Sequence, residues 1–190
     1  MEELYKDILR LVYEKAFQRR RVKLASGRES DFYVDCKEVL LTSEGLFKLA
    51  LYVLHFIKRE EMEARAVGGP VMGAVPLAAA ISVLSSAPPF YMPMDIFYDR
   101  LKAKKHGSSR KIEGPTLEKG APVLLLDDVL TSGKSISKTA KNMQDEGCRI
   151  EKVLVIVDRQ EGGREKLEKK GYEVRSILTR EDLERYEKEH

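Results

Sequence analysis

The sequence contains few residues of several types, and each shortage argues against a class of protein. Its 190 residues include two cysteines, Cys36 and Cys148, which lie far apart and lack the CxxC spacing of zinc or redox sites. We therefore expect neither a disulfide scaffold nor a structural zinc site. Asparagine and glutamine are scarce while 34% of the residues are charged, a composition that leans towards a thermophilic source.

Long apolar runs are missing as well. No segment approaches the roughly 18 apolar residues that a membrane span needs. The first 21 residues carry charges throughout, with apolar spacing that suits a helix rather than a signal peptide. The net charge of +3 arises from 34 basic and 31 acidic residues, a balance that does not indicate a nucleic-acid partner. We expect a globular, cytoplasmic protein without membrane or nucleic-acid partners.

Helices and strands alternate along the predicted chain. Apolar spacing predicts a helix over 2–18, a small hairpin-like unit from Val22 to Val34, and a helix from Thr42 or Ser43 to about Arg59. The elements predicted beyond it are a strand at 64–67 ending in Gly68-Gly69-Pro70, a helix at 71–85, strand pieces at 90–94 and 95–98, a polar loop at 99–120, a strand at 123–126, a helix at 133–146, a strand at 152–157, a helix at 163–170, a strand at 172–177 and a helix at 179–188. The central strands are apolar on both faces, which predicts an α/β fold with a doubly wound, mostly parallel central sheet.

The segment Val123–Ser135, VLLLDDVLTSGKS, has the features of a phosphate-binding strand, loop and helix. Its apolar strand delivers Asp127 and Asp128 to the carboxyl edge of the sheet, where open α/β sheets bind ligands. The small residues from Thr131 onwards let backbone N–H groups and hydroxyls converge on an anion at a helix N-terminus. Two carboxylates would repel a phosphate, but they also accept strong hydrogen bonds from ribose hydroxyls. We therefore predict a site for a ribose 5′-phosphate.

The tripeptide Gly-Lys-Ser in this segment admits a second interpretation as a nucleoside-triphosphate P-loop. That motif is GxxxxGK[ST], and the position five residues before Gly133 is Asp128 rather than glycine. The defining glycine is missing, which argues against a P-loop. A strand–turn–helix with two acids placed by chance is the structural alternative, although buried strands rarely end in two unpaired acids.

The same segment resembles the signature of the type I phosphoribosyltransferases, in which four apolar residues precede two acids and a Thr-x-Gly-x-Ser/Thr loop. Three further stretches, together with GGPVMGAVPLA at 68–78, resemble the orotate phosphoribosyltransferases in particular. These stretches are VKLASGRESDFYVD at 22–35, DRLKAKKHGSSRKIEG at 99–114 and VIVDRQEG at 155–162. The resemblance implies one domain over 1–190, with an N-terminal helix and small hood at 1–40, a core sheet at 60–178 and a mobile loop at 99–114.

The resemblance also implies the site residues. The candidate catalytic residues are Arg100, Lys104, His106, Asp127 and Asp128. The candidate substrate-binding residues are Asp127, Asp128, Val129, Leu130, Thr131, Ser132, Gly133, Lys134, Ser135, Arg159, Lys102, Lys23, Phe32 and Tyr33. No residue is expected to bind a metal directly, because Mg²⁺ would be held mainly through the substrate. Many members of the family carry lysine at the positions of Leu101 and Ala25.

Each of these groups also has a plainer interpretation. The cations of residues 99–114 could form a solvated charge run, or a mobile lid over a diphosphate. Arg159 could pair with Asp158 or Glu161 at the surface, or hold the planar carboxylate of orotate in a bidentate contact. Phe32 and Tyr33 could fill the hairpin core or cover the base.

The implied reaction transfers phosphoribose from 5-phosphoribosyl 1-diphosphate to orotate, giving orotidine 5′-phosphate and diphosphate. The family implies Mg²⁺ as the cofactor and a homodimer in which the lid of one subunit reaches its neighbour's site. Two alternatives stay open. A purine phosphoribosyltransferase would keep the phosphate loop but has no need of Arg159, and a non-catalytic sensor of phosphoribosyl diphosphate would usually add a DNA-binding segment.

Overall fold

Helices and strands alternate along the chain in the computed structural model, which describes residues 1–20, 22–23, 29–100 and 111–190. Within these residues the helices are α1 (Glu2–Ala16), α2 (Lys37–Leu40), α3 (Ser43–Arg59), α4 (Val75–Ser85), α5 (Lys134–Asp145), α6 (Gly163–Glu168) and α7 (Arg180–Glu189). The strands are β1 (Phe17–Gln18), β2 (Val22–Lys23), β3 (Glu29–Ser30), β4 (Tyr33–Val34), β5 (Ala66–Pro70), β6 (Asp95–Asp99), β7 (Ile112–Glu113), β8 (Pro122–Leu130), β9 (Arg149–Asp158) and β10 (Val174–Thr179).

The central sheet holds six of the described strands, in the order β10-β9-β8-β5-β6-β7. All neighbouring pairs are parallel except β6 and β7 at one edge. The strand order reverses between β5 and β8, because β6 extends the sheet on one side whereas β9 and β10 extend it on the other. The crevice outside the carboxyl ends of strands at such a reversal is the usual ligand site of open α/β sheets. The prediction of a doubly wound, mostly parallel sheet is confirmed.

Side chains of β8 alternate between two cores, one on each face of the sheet. Leu124 and Leu126 pack into the core that α1, α3 and α4 share, whereas Val123 and Leu125 pack against α5 and α6. This alternation follows from the two-residue period of a strand. Both faces are covered by helices, which is why the central strands read as continuous apolar runs in the sequence.

The N-terminal segment forms a small hood of two nested antiparallel pairs. Strand β1 pairs with β4, and β2 pairs with β3 between them. Helix α3 follows, and its N-cap is Thr42, whose side chain accepts a hydrogen bond from the Gly45 amide at 3.1 Å. The predicted hairpin-like unit and the predicted start of this helix are thus confirmed. Among the described residues, none of the helices combines the length and apolar character that crossing a membrane requires.

The structure corrects several predicted boundaries. Residues 90–94 form no strand, because Pro89 and Pro93 lack the N–H groups that a strand ladder needs. The predicted polar loop at 99–120 contains β7, which pairs with β6. Helix α4 begins at Val75 rather than at residue 71. Strand β5 continues through Gly68-Gly69-Pro70, since its parallel register with β6 runs to the last of these residues.

Candidate active site

Asp127 is buried near the carboxyl end of β8, and only 7% of its surface is exposed. Its carboxylate accepts hydrogen bonds from the Asp128 amide at 3.0 Å and the Ser135 hydroxyl at 3.2 Å. Burial, and then repulsion from Asp128, raise the pKa of Asp127 from 3.8 to about 8. Removal from water disfavours the charged form of a carboxyl group. A ligand that donates hydrogen bonds to this carboxylate would therefore be bound favourably. A shifted pKa in a crevice is typical of functional sites.

Asp128 is half-buried beside it and faces the turn that follows β5. Its carboxylate accepts a hydrogen bond from the Val129 amide at 2.8 Å. A Cβ added to Gly73 would lie 2.5 Å from the Asp128 carboxylate oxygen, so the turn and the acid are in close contact. The segments that follow β5 and β8, the two strands between which the order reverses, therefore meet at Asp128.

The loop after β8 wraps towards α6 and turns into α5. Gly133 takes a φ of 70° directly before α5, a left-handed conformation that glycine adopts without strain. A Cβ on Gly163 would lie 2.5 Å from the Thr131 carbonyl oxygen, so this glycine permits the close approach of α6. Thr131, Ser132 and Ser135 are half-buried. The loop thereby presents hydroxyls and the N-terminus of α5 at one point of the sheet edge, an arrangement suited to a phosphate.

The remaining residues of the phosphate segment differ in exposure. Val129 is half-buried and Leu130 is buried in the core that packs against α5. Lys134, the first residue of α5, is exposed. Of these three, Lys134 has the side chain that can reach an anion, whereas Val129 and Leu130 can contribute only backbone groups.

Arg159 lies directly after β9 and is buried, with 4% exposure. Its amide donates to the Leu130 carbonyl at 3.0 Å, which fixes it beside the end of β8. Its guanidinium donates to Glu161 at 3.0 Å and to the Phe32 carbonyl at 3.2 Å. One interpretation of Arg159 from the sequence is a surface ion pair with Asp158 or Glu161. The pairing with Glu161 agrees with it, but the arginine is buried rather than at the surface. Asp158 pairs with Arg164 instead, at 2.8 Å.

The hood residue Phe32 covers this arginine. Phe32 is fully buried, and the Arg159 guanidinium carbon lies 4.5 Å from the centre of its ring. Tyr33 is half-buried, and its hydroxyl donates to Asp35 at 3.4 Å. The Arg20 guanidinium carbon lies 4.3 Å from the Tyr33 ring. The hood thus closes over the same edge of the sheet as Asp127 and Arg159.

Arg100 marks the base of the predicted lid. Its guanidinium pairs with Glu113 at 2.7 Å, and its amide donates to the Lys111 carbonyl at 3.1 Å. The backbone carbonyl of the preceding residue, Asp99, accepts a hydrogen bond from the Val71 amide at 3.1 Å, which joins the lid base to the turn after β5. The predicted residues Lys102, Lys104 and His106 lie outside the described residues, as does the side chain of Lys23.

The geometry described so far brings a carboxylate pair, an anion loop and a buried arginine to one sheet edge. A family model, the phosphoribosyl transferase domain, matches residues 52–184. The orotate phosphoribosyltransferase of Sorangium cellulosum is 40% identical over 180 residues, which make up 93% of this chain and 91% of that protein. This chain belongs to the orotate phosphoribosyltransferase family.

Solved structures of the family agree with this assignment. The orotate phosphoribosyltransferase of Mycobacterium tuberculosis, in complex with Fe(III) dicitrate, has 33% identity and a TM-score of 0.79, and the match covers 95% of this chain and 98% of that chain. The same enzyme in complex with 5-phospho-α-D-ribosyl 1-diphosphate has 29% identity, a TM-score of 0.74 and the same coverage. The predicted family is therefore confirmed, whereas the roles of the individual residues stay predictions.

The sequence indicates two contributors to this site in part and misses a third. Gly73 lies in the GGPVMGAVPLA stretch that carries the family resemblance, but its contact with Asp128 became visible only in the fold. Glu161 is one of the two partners predicted for Arg159, and the structure confirms that pairing. Arg180 lies on a charged helix that reads as a solvated surface, yet its guanidinium carbon also lies 4.5 Å from the Phe32 ring centre.

Proposed function

We propose that this chain transfers phosphoribose from 5-phosphoribosyl 1-diphosphate to N1 of orotate, giving orotidine 5′-phosphate and diphosphate for pyrimidine biosynthesis. The observation that carries the proposal is the junction of the Asp127–Asp128 pair and the Thr131–Ser135 loop with buried Arg159 beside it. The relatives support the same activity, because they are orotate phosphoribosyltransferases and the similarity extends over nearly the whole length of both chains.

The donor side of the site would hold the phosphoribose. The backbone N–H groups of residues 131–135 and the N-terminus of α5 would bind the 5′-phosphate. Asp127 and Asp128 would accept hydrogen bonds from the ribose hydroxyls. Breaking the bond from C1′ to the diphosphate oxygen develops positive charge on the sugar, so rigid positioning of the ring beside two carboxylates lowers the barrier.

The acceptor side would select orotate through its carboxylate. Arg159 presents a planar guanidinium that suits a bidentate contact with such a group. Glu161 pairs with this guanidinium at 3.0 Å, so we propose that the orotate carboxylate would take the place of Glu161. Tyr33, which is half-buried, would then cover the pyrimidine ring, while the fully buried Phe32 would support the Arg159 guanidinium. A purine base has no carboxylate to make this exchange, which favours orotate over a purine acceptor.

The leaving diphosphate would be neutralised by Arg100, Lys104 and His106, with Lys102 as a further cation. Mg²⁺ prefers oxygen ligands and keeps several waters; it would be carried mainly by substrate oxygens, and its charge would favour departure of the diphosphate. The carboxylates of Asp127 and Asp128 suit such an ion as neighbours. Within the described ranges, no group of three or more acidic, histidine or cysteine side chains could bind a metal.

We propose that the protein is a homodimer with shared active sites. Helix α4, VPLAAAISVLS, is apolar around its whole circumference, yet only Leu77, Ala78, Ile81 and Ser85 are buried. A helix that is apolar all round is normally covered on all sides. Val83 of this helix, and Met72 and Tyr91 shortly before and after it in the sequence, are each about 70% exposed. Large apolar side chains left exposed in this way favour a subunit contact. We also propose a cytoplasmic location, without a membrane or nucleic-acid partner.

A panel of acceptors tests the activity. Diphosphate release should occur with orotate and Mg²⁺ and be negligible with adenine, hypoxanthine or uracil. The variant Arg159→Lys keeps the charge without the planar fork, and we expect its kcat/KM for orotate to fall by about 30-fold, equivalent to about 2 kcal/mol of charge-assisted hydrogen bonding. Arg175→Lys, on the exposed part of β10, is the matched control. Turnover with a purine and none with orotate would refute the proposal.

Mixing two inactive variants tests the shared site. Lys104→Ala and Arg159→Ala homodimers should each be inactive. Subunit exchange should produce heterodimers with one intact site, and each heterodimer should have up to half of the activity of a wild-type dimer. Two wild-type preparations mixed in the same way control for losses during exchange. Failure to recover any activity in verified heterodimers would exclude the sharing of lids.

A further inference from the structure

Charged side chains tie the C-terminal helix α7 to the hood. We call this group the clasp; it consists of Arg19, Asp31, Arg180, Glu184 and Glu187. Arg19 pairs with Glu187 at 2.6 Å, and Arg180 pairs with Asp31 at 3.0 Å and with Glu184 at 2.8 Å. Arg19 also lies 3.5 Å from both Asp31 and Glu184. The clasp therefore joins two segments that are about 150 or more residues apart along the chain.

The clasp reaches the acceptor side of the site through Phe32. The guanidinium carbons of Arg180 and Arg159 both lie 4.5 Å from the centre of the Phe32 ring. Arg159 also donates to the Phe32 carbonyl at 3.2 Å. Asp31, which pairs with Arg180, is the residue directly before Phe32. The Phe32 ring thus contacts both Arg180 of the clasp and Arg159, the arginine that would bind orotate.

We propose that Arg180 is a positioning residue for the acceptor: through Asp31 and Phe32 it holds the hood against Arg159 and so sets the affinity for orotate. This inference rests on the proposed function. Arg180 contacts two carboxylates and an aromatic ring, so its effect on orotate is indirect. None of its described contacts involves the phosphate loop or the Asp127–Asp128 pair, so the donor should bind as before.

A purely stabilising role fits the contacts less well. Asp31 has 62% side-chain exposure and Arg180 has 31%, and exposed ion pairs contribute little to stability. A guanidinium over an aromatic ring adds an attraction that is stronger where the ring is removed from water, and Phe32 is fully buried. The arrangement orders the hood before the acceptor binds, so less conformational entropy is lost on binding.

Kinetics of two Arg180 variants test the inference. For Arg180→Ala we expect the KM for orotate to rise about tenfold, equivalent to about 1.4 kcal/mol, while kcat and the KM for phosphoribosyl diphosphate stay within about twofold. Arg180→Lys keeps the charge for Asp31 and Glu184 but has no planar face, so it should raise the orotate KM by about threefold. Arg185→Ala is the control, because Arg185 lies on the same helix and pairs with Asp182 at 2.6 Å.

A double variant separates positioning from general destabilisation. In Phe32→Leu the ring is absent, so adding Arg180→Ala should raise the orotate KM by less than about twofold more, because coupled residues are not additive. Equal increases in the KM of both substrates, or an Arg180→Ala profile like that of Arg185→Ala, would overturn the inference. Additive effects in the double variant would do the same. A wild-type protein without orotate turnover would instead refute the proposed function, and Arg180→Lys carries the test if Arg180→Ala does not fold.

Discussion

Replacing Asp127 by asparagine should stabilise the protein at neutral and alkaline pH. The folded state raises the pKa of this carboxyl from 3.8 to about 8, because it is buried and lies beside Asp128. A group that binds its proton more tightly when folded contributes stability at low pH, and this contribution is lost as the pH rises towards the folded pKa. Ionised Asp127 is therefore a cost to the fold that neutral asparagine does not carry.

The size of this cost follows from the two pKa values. Each pKa unit corresponds to about 1.4 kcal/mol, so the difference between 3.8 and about 8 amounts to roughly 6 kcal/mol above pH 8 and roughly 4 kcal/mol at pH 7. Asparagine preserves both contacts of Asp127, since its oxygen can accept from the Asp128 amide and its amide can donate to the Ser135 hydroxyl. The exchange is also nearly isosteric, so no cavity or overpacking term is added.

The assay is the free energy of unfolding by denaturant, measured for both proteins from pH 4 to pH 9. We expect the difference, variant minus wild type, to grow by several kcal/mol across this range and to level off above pH 8. Asp95→Asn is the control, because it makes the same change of residue at an exposed position of β6. If the difference in unfolding free energy between Asp127→Asn and wild type does not change with pH, the folded state does not disfavour the ionised form of Asp127, and the prediction is refuted.

Three further predictions follow from the site and the helix ends. The kcat/KM for phosphoribosyl diphosphate should rise with pH and level off near pH 8, because the ionised form of Asp127 accepts ribose hydroxyls; the pH–rate profile of the free enzyme measures this. Gly73→Ala should raise the KM for this substrate about tenfold by displacing Asp128, with an unfolding free energy within about 1 kcal/mol of wild type, since only the end of a side chain must move. Thr179→Ala should lower the unfolding free energy by about 1 kcal/mol, measured by denaturant titration, because Thr179 and Asp182 form the capping box of α7.

Local chemistry made the donor side of the site predictable. The apolar run of β8, the acids that follow it and the glycine before α5 all lie within Val123–Ser135. Each of these features acts over a few residues, so the sequence itself contains the strand, the turn and the helix start. The same holds for the start of α3, where the residue types indicate a cap at Thr42 or Ser43 and the structure has the cap at Thr42.

The acceptor side could be predicted only in part, because its contacts join distant segments. Arg159 was expected at the sheet edge, but its burial and its pairing with Glu161 depend on how the hood closes over β9. The Phe90–Met94 prediction was wrong for the opposite reason: apolar residues suggested a strand, although Pro89 and Pro93 deny it the amides that a strand needs.

The donor and acceptor sides also differ in the parts of the fold that position their charged residues, Asp127 and Arg159. Asp127 sits in the rigid centre of the sheet, where packing on both faces forces the carboxyl into a place that disfavours its charge. Arg159 sits under a hood of two-residue strands, which would order poorly alone because so few backbone hydrogen bonds join them. Its geometry is therefore supported from α7, through Arg180 and the ring of Phe32. It follows that substitutions in the sheet should act on donor binding and stability together, whereas substitutions in the clasp should act on the acceptor alone.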